Sequence, residues 1–207
     1  MNRRGLLFLP AAIVACIIGL GAQMAQAGAE ADFIRQLGEQ AISEMGQKNK
    51  SLAEREAAFR KILKQRFDMV LIGRFALGRY WRIASKEQRR DYLNLFTEYV
   101  VRTYSSSLGG YKNEALIVIS SQPLKNKKDV LVNTRITRPS GGPIKAIWRV
   151  RTTKNRLRII DVMVEGISML VTHRQEFASV IRRHGLTGLL ETLRARIGKL
   201  PATASNG

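Results

Sequence analysis

A chain of 207 residues, 45% hydrophobic and 25% charged, is long enough to bury one sizeable core, and no linker or repeat divides it. Its 35 basic residues against 16 acidic ones give a formal charge of +19, which points to an anionic partner: a membrane surface, lipid headgroups or nucleic acid. A single cysteine, Cys16, excludes a disulfide framework.

Arg3 and Arg4 precede an apolar run from Leu6 to Leu20, and Ala25-Gln26-Ala27 supplies the small residues a signal peptidase reads. Residues 1–27 are therefore expected to be a signal peptide, with the mature chain beginning near Gly28. The run is short for a membrane span, although an uncleaved anchor is the alternative. Ile13-Val14-Ala15-Cys16 has the form of a lipobox, but apolar residues follow it where a lipoprotein has a polar tether, which favours soluble export over lipidation of Cys16. Export removes Cys16, and with it any thiol nucleophile or cysteine metal site, and argues against nucleic acid. The leader takes away two basic residues and no acidic one, so the excess of positive charge persists.

The mature part reads as one domain over residues 28–200 with a flexible tail at 201–207. Residues 31–45 form an amphipathic helix with Phe33, Leu37, Ala41 and Met45 in one stripe. Ser51-x-x-Glu54 is a capping box opening a second helix to about Phe67, its buried face carrying Phe59, Ile62 and Leu63. A short third helix spans Asp68 to Phe75, before Gly78. Ser85-x-x-Gln88 caps a long fourth helix with Tyr92, Leu95, Phe96, Tyr99, Val100 and Tyr104 on its apolar side.

After Gly109-Gly110 the period changes to alternation, giving strands at residues 115–121, 129–137, 144–153 and 156–165. Short turns at 140–143 and at Lys154-Asn155 make them an antiparallel meander. Val130, Val132 and Thr134 share a face with Ala146, Trp148 and Val150, while Arg135, Lys145, Arg149 and Arg151 form a basic face on the other side. The last strand has Ile160, Val162 and Val164 opposite Leu157, Ile159 and Met163, so it is expected to be covered on both faces. Helix returns from Ser168 to Arg183, and Thr187 opens a final helix. The fold class is α+β, helices packed against a twisted four-stranded antiparallel sheet.

Chemistry-bearing residues are scarce. His173 and His184 lack the spacing of a helical metal pair and read as surface or capping residues, and neither a phosphate-binding glycine loop nor a nucleophile elbow is present. No catalytic group, metal site or cofactor is expected. Asp161 interrupts an apolar strand, so it is either a general base in a cavity or an anchor of the strand-to-helix junction, with Arg174 as its candidate partner. Capping or junction geometry accounts for Asp68 and Glu165, and Gly166 allows the change of direction.

The stretch Asp161 to Phe177 (DVMVEGISMLVTHRQEF), taken with Phe67 to Tyr104, resembles the MlaC family, the toluene-tolerance proteins, which are periplasmic lipid carriers of ABC-type transport systems. The resemblance spans nearly all of the mature chain. It rests on the order and spacing of Phe67-Asp68, the LGRYWR run at Leu77 to Arg82, Phe96, Tyr104, Val130, Asp161, Glu165-Gly166-x-Ser168, Arg174 and Phe177. It implies an NTF2-like or MlaC-like fold enclosing an apolar lipid pocket between sheet and helices. It also implies a soluble periplasmic carrier that shuttles phospholipid between an outer-membrane lipoprotein complex and an inner-membrane ABC transporter with MCE-type subunits, touching membrane surfaces transiently and maintaining outer-membrane lipid asymmetry.

On that resemblance the expected lipid-binding set is Leu77, Phe96, Tyr104, Val132 and Trp148, with Val164, Ile167, Leu170, Phe177 and Ile181 from the end of the sheet onward. Arg135, Lys145, Arg149, Arg151 and Arg174 are the expected docking and head-group residues. Three rivals stay open: an HpnM-like hopanoid carrier, a small-molecule enzyme with Asp161 as base and Tyr104 as acid, and a basic membrane adaptor without cargo.

Overall fold

Helix starts in this chain are set by side chains that satisfy otherwise orphaned backbone amides. The computed structural model describes residues 21–45, 50–105, 114–125, 128–138 and 141–200. The expected leader up to residue 20, Cys16 included, lies outside them, as do Gly109-Gly110, residue 140 of the expected 140–143 turn and the 201–207 tail. The first four helices are α1 (Gly21–Met45), α2 (Leu52–Arg66), α3 (Met69–Leu77) and the single turn α4 (Tyr80–Ile83), followed by α5 (Lys86–Ser105). Ser51 Oγ accepts from the Glu54 amide at 3.3 Å while Glu54 Oε2 accepts from the Ser51 amide at 2.7 Å, which is the predicted capping box. Asp68 Oδ1 accepts from the Leu71 amide at 2.9 Å and opens α3, and Ser85 and Gln88 exchange bonds of 3.1 and 2.9 Å ahead of α5.

Five strands follow rather than four: β1 (Leu116–Pro123), β2 (Asp129–Ile136), β3 (Ile144–Thr153), β4 (Arg156–Val164) and β5 (Ile167–Ser168), antiparallel in chain order. Lys154 and Asn155 have φ of 50° and 58°, and Glu165 and Gly166 have 49° and 83°. Two consecutive left-handed residues build the tight turns whose twist matches the flanking strands. The second such turn folds Ile167 and Ser168 back onto Val164 and Met163 as β5, too short to leave an alternating pattern in the sequence.

The last long strand does not divide its apolar side chains between the faces as strict alternation would. Trp148 pairs with Val162 and Arg149 with Asp161, but Val150 pairs with Ile159, so Ile160 is an extra residue. This bulge shifts the alternation by one and brings Leu157 and Ile159 onto the face that carries Val162. A smaller irregularity at Ile119 interrupts β1, which forms the margin of the sheet.

On the apolar face Val130, Val132, Val150 and Ile159 pack with Ile34 and Leu37 of α1 and Ile62 of α2. A second core joins Leu77, Tyr92 and Phe96 to Phe177, Leu189 and Leu193 of α6 (Met169–Lys199). The helix expected to end at Arg183 and its successor are one element broken at Gly185, whose φ of 68° and ψ of −179° are not helical. Phe59 and Phe67 pack against both cores.

On the other face Asp129, with no exposed side-chain surface, receives Arg149 Nε at 2.8 Å and Arg151 Nη2 at 2.9 Å. Half of the expected basic face is thereby committed to holding a buried carboxylate. The Asp129 bond is also the leading reason the Arg151 guanidinium is raised above its ordinary value. Arg135 and Lys145 remain exposed and lie opposite each other in the β2–β3 register.

Candidate functional site

Two apolar cavities lie between the sheet and the helices, of about 260 and 140 Å³. The larger is walled by Phe59 and Leu63 of α2, Met69 and Ile72 of α3, and Phe96, Val100 and Tyr104 of α5. Its sheet side is Trp148 with Asp161, Val162 and Val164, and the first turns of α6 close it with Met169, Leu170 and His173. The smaller lies under α1, where Leu37, Ala41 and Met45 face Leu116 and Ile136.

Three rings, Phe59, Phe67 and Trp148, belong to both walls and form the partition between the chambers. Trp148 is its fixed part: the indole Nε1 donates to Thr134 Oγ1 at 2.9 Å, and that hydroxyl donates to the Ala146 carbonyl at 3.0 Å. Gly38 sits below the smaller chamber because a Cβ there would stand 2.8 Å from Leu116 Cβ.

Among the described residues lining the larger cavity, Asp161, Tyr104 and His173 join Trp148 in carrying polar side-chain N or O atoms. Asp161 is fully engaged at the junction, accepting from Ser168 Oγ at 2.7 Å and from the Leu170 amide at 3.2 Å. Ser168 Oγ in turn accepts from the Val171 amide at 3.0 Å and caps α6. The anchoring role is what this geometry provides, but the partner is Ser168 and not Arg174, whose guanidinium lies 4.8 Å from the Phe75 ring centre. Asp161→Asn is expected to lower the unfolding free energy by about 1–2 kcal/mol in urea, because an amide cannot accept both bonds. Uptake of an apolar dye should be unchanged; dye binding lost at unchanged stability would give Asp161 to the ligand instead.

His173 is not a surface residue. It is 7% exposed, stacks on Phe177 and meets Phe96 edge-on at 5.9 Å. Burial lowers its pKa against the opposing pull of Glu176, whose Oε2 lies 3.7 Å from Nδ1, and Nε2 is 3.3 Å from the Tyr104 hydroxyl. Burial likewise raises the Tyr104 phenol, with Tyr99 and Glu176 adding to the shift. Glu176 is itself bonded by Arg196. Neutral groups therefore face the cavity on this side, and among the described residues no cluster of three metal-binding side chains exists.

Of the ten expected lipid-binding residues, Phe96, Tyr104, Trp148, Val164 and Leu170 line the larger cavity. Leu77, Phe177 and Ile181 are packed in the helical core, and Val132 in the core under the sheet. Ile167 is 60% exposed on β5. Sequence reasoning missed Phe59, Leu63, Phe67, Met69 and Ile72, which it had as helix core or left unassigned, and His173. The available signal was the heavy aromatic stripe of α5, which carries Tyr92, Phe96, Tyr99 and Tyr104.

The MlaC protein family model matches residues 35–195. A curated relative, the intermembrane phospholipid transport system binding protein MlaC of Haemophilus influenzae, is 24% identical over 121 residues. That match spans 57% of this chain and a little over half, 56%, of the relative. The fold is similar to that of a phospholipid-binding protein from Ralstonia solanacearum solved in complex with a phospholipid, with a TM-score of 0.75 and 22% identity over 82% of this chain and 97% of that one. With the family model covering the strand, the α6 junction and both cavities, the chain belongs to the MlaC protein family.

Proposed function

We propose that this protein is a phospholipid carrier of an Mla-type transport system, exported by cleavage near Ala27 and working in the periplasm as one domain over residues 28–200. The observation that carries the reading is the pair of adjoining apolar cavities: in the larger the carboxylate is hydrogen-bonded, and in the smaller Glu114 is a single carboxylate on an otherwise apolar wall. Such a space suits hydrocarbon: each methylene removed from water contributes about 0.8 kcal/mol, so ten contribute about 8 kcal/mol before the cost of ordering the ligand. The head group stays at the rim. Among the described residues no helix is long and apolar enough to cross a membrane.

The carrier takes lipid from, or gives it to, an outer-membrane lipoprotein complex and an MCE-type inner-membrane ABC transporter, and so serves outer-membrane asymmetry. The step needs no covalent chemistry: the carboxylate of the larger cavity is committed to the α6 junction. Native mass spectrometry of the protein purified from a bacterial periplasm tests this directly. The expected spectrum carries an adduct that solvent extraction identifies as phospholipid. A hopanoid adduct would reassign the cargo, and an apo mass that takes up no added lipid would overturn the carrier reading.

A further inference from the structure

Helices α3 and α6 each have two working sides. Met69 and Ile72 of α3, and Met169, Leu170 and His173 of α6, face the larger cavity. On the outside, Phe75 and Val171 form a groove with Arg174, Ala178 and Arg182. Four of the eight large exposed apolar side chains among the described residues are on α3, α4 and the start of α6: Val70 is 55% exposed, Phe75 41%, Val171 42% and Ile83, on α4, 77%. Side chains of that size are rarely left in water together without a partner.

The same surface is one-sided in charge. Residues 69–86 contain four basic residues and no acidic one. Among the described residues no salt bridge joins Arg74, Arg79, Arg82 or Arg174 to a carboxylate, whereas two of the four cations of the sheet face, Arg149 and Arg151, are bound to Asp129. Three of these guanidinium groups instead lie over rings: Arg74 over Trp81 at 5.5 Å, Arg79 over Tyr80 at 5.9 Å and Arg174 over Phe75 at 4.8 Å. Gly78 leaves room for this, since a Cβ there would come within 3.3 Å of Arg174 Nε. Stacking leaves the guanidinium donors free for phosphate.

We propose that the outer face of α3, α4 and the first half of α6 docks on an anionic phospholipid bilayer. Protruding aliphatic side chains beside Trp, Tyr and Arg are the composition of a membrane interface, where rings sit at headgroup level and long cations reach phosphate. An acidic protein would satisfy the charges but would leave Ile83 and Val70, on separate turns, without a common pocket. The proposal rests on the carrier reading for its purpose: the helices that touch the bilayer are those that wall the cargo, so docking places the cavity beside its lipid source.

The test is flotation of the mature protein with vesicles of phosphatidylcholine alone or mixed with phosphatidylglycerol. Binding is expected with the mixed vesicles only, and to be lost in about 0.5 M NaCl. Arg79→Glu with Arg82→Glu, and separately Ile83→Asp, should each weaken it at least about tenfold. The matched control Lys64→Glu with Arg156→Glu, on a distant basic groove, should stay within about twofold. Native mass spectrometry of each variant reads cargo independently, so loss of flotation with cargo retained supports the surface. Variants that float like the parent, or a parent that never floats on anionic vesicles, would overturn the proposal. The second result would give the face to an acidic protein.

Discussion

Val164→Arg should empty the larger cavity, cutting co-purified lipid at least about tenfold while the protein still folds. Val164 pairs with Ala146 across the sheet and lines the cavity beside Met169 and Leu170. A guanidinium there brings a charge to a wall that is otherwise mostly hydrocarbon, and a charge facing hydrocarbon costs well over the 1.4 kcal/mol that a tenfold loss requires. Val164 is only half-buried at the strand end, so the long side chain can turn its tip to water and spare the fold. Leu170→Arg repeats the experiment from α6, and Arg149→Ala, on the other sheet face, is the control that should keep its lipid. Folded variants that all retain equal lipid would place the cargo elsewhere.

The second large effect concerns stability alone. Asp129→Ala should cost about 3 kcal/mol in urea unfolding while leaving cargo per folded molecule unchanged. The carboxylate has no exposed surface and holds two arginines, Arg149 and Arg151, across the β2–β3 ladder. Removing it leaves two guanidinium groups side by side without a counter-charge. They are 36% and 29% exposed, so water recovers part of their solvation and the loss falls at the low end for a broken buried pair. A loss under about 1 kcal/mol would mean that the three groups contribute solubility and not cohesion.

Much of this architecture was legible because it is written in local chemistry. The boxes at Ser51-Glu54 and Ser85-Gln88 are bonds between neighbours in sequence, and the four long strands alternate between turns that need left-handed residues. What stayed hidden depends on register. The bulge at Ile160 is one unpaired residue, and without it strict alternation puts Ile159 and Val162 on opposite faces. Asp129 meets Arg149 and Arg151 only after two strands are aligned, so the sequence showed a basic face where the fold holds a salt-bridged triad. The site was half legible for a related reason. Phe96 and Phe177 look alike in a helical pattern and share one core, yet only Phe96 also lines the cavity, a distinction made by the crossing of helices. His173 read as a surface residue because the rings that bury it include Phe96 and Tyr99 of α5, which reach it only once α5 and α6 pack together.

The irregularity at Ile119 bears on how such a protein survives at high concentration. β1 is an outermost strand, and it leaves Ile117 46% and Ile119 54% exposed, which is the raw material for one molecule's sheet to continue into the next. The register slip between Val118 and Ser120 breaks the even spacing of hydrogen-bonding groups along that margin, and Pro123 removes a donor at its end. An incoming strand can match one half of the margin or the other, never its whole length, so an apolar rim is kept from becoming a template for polymerisation.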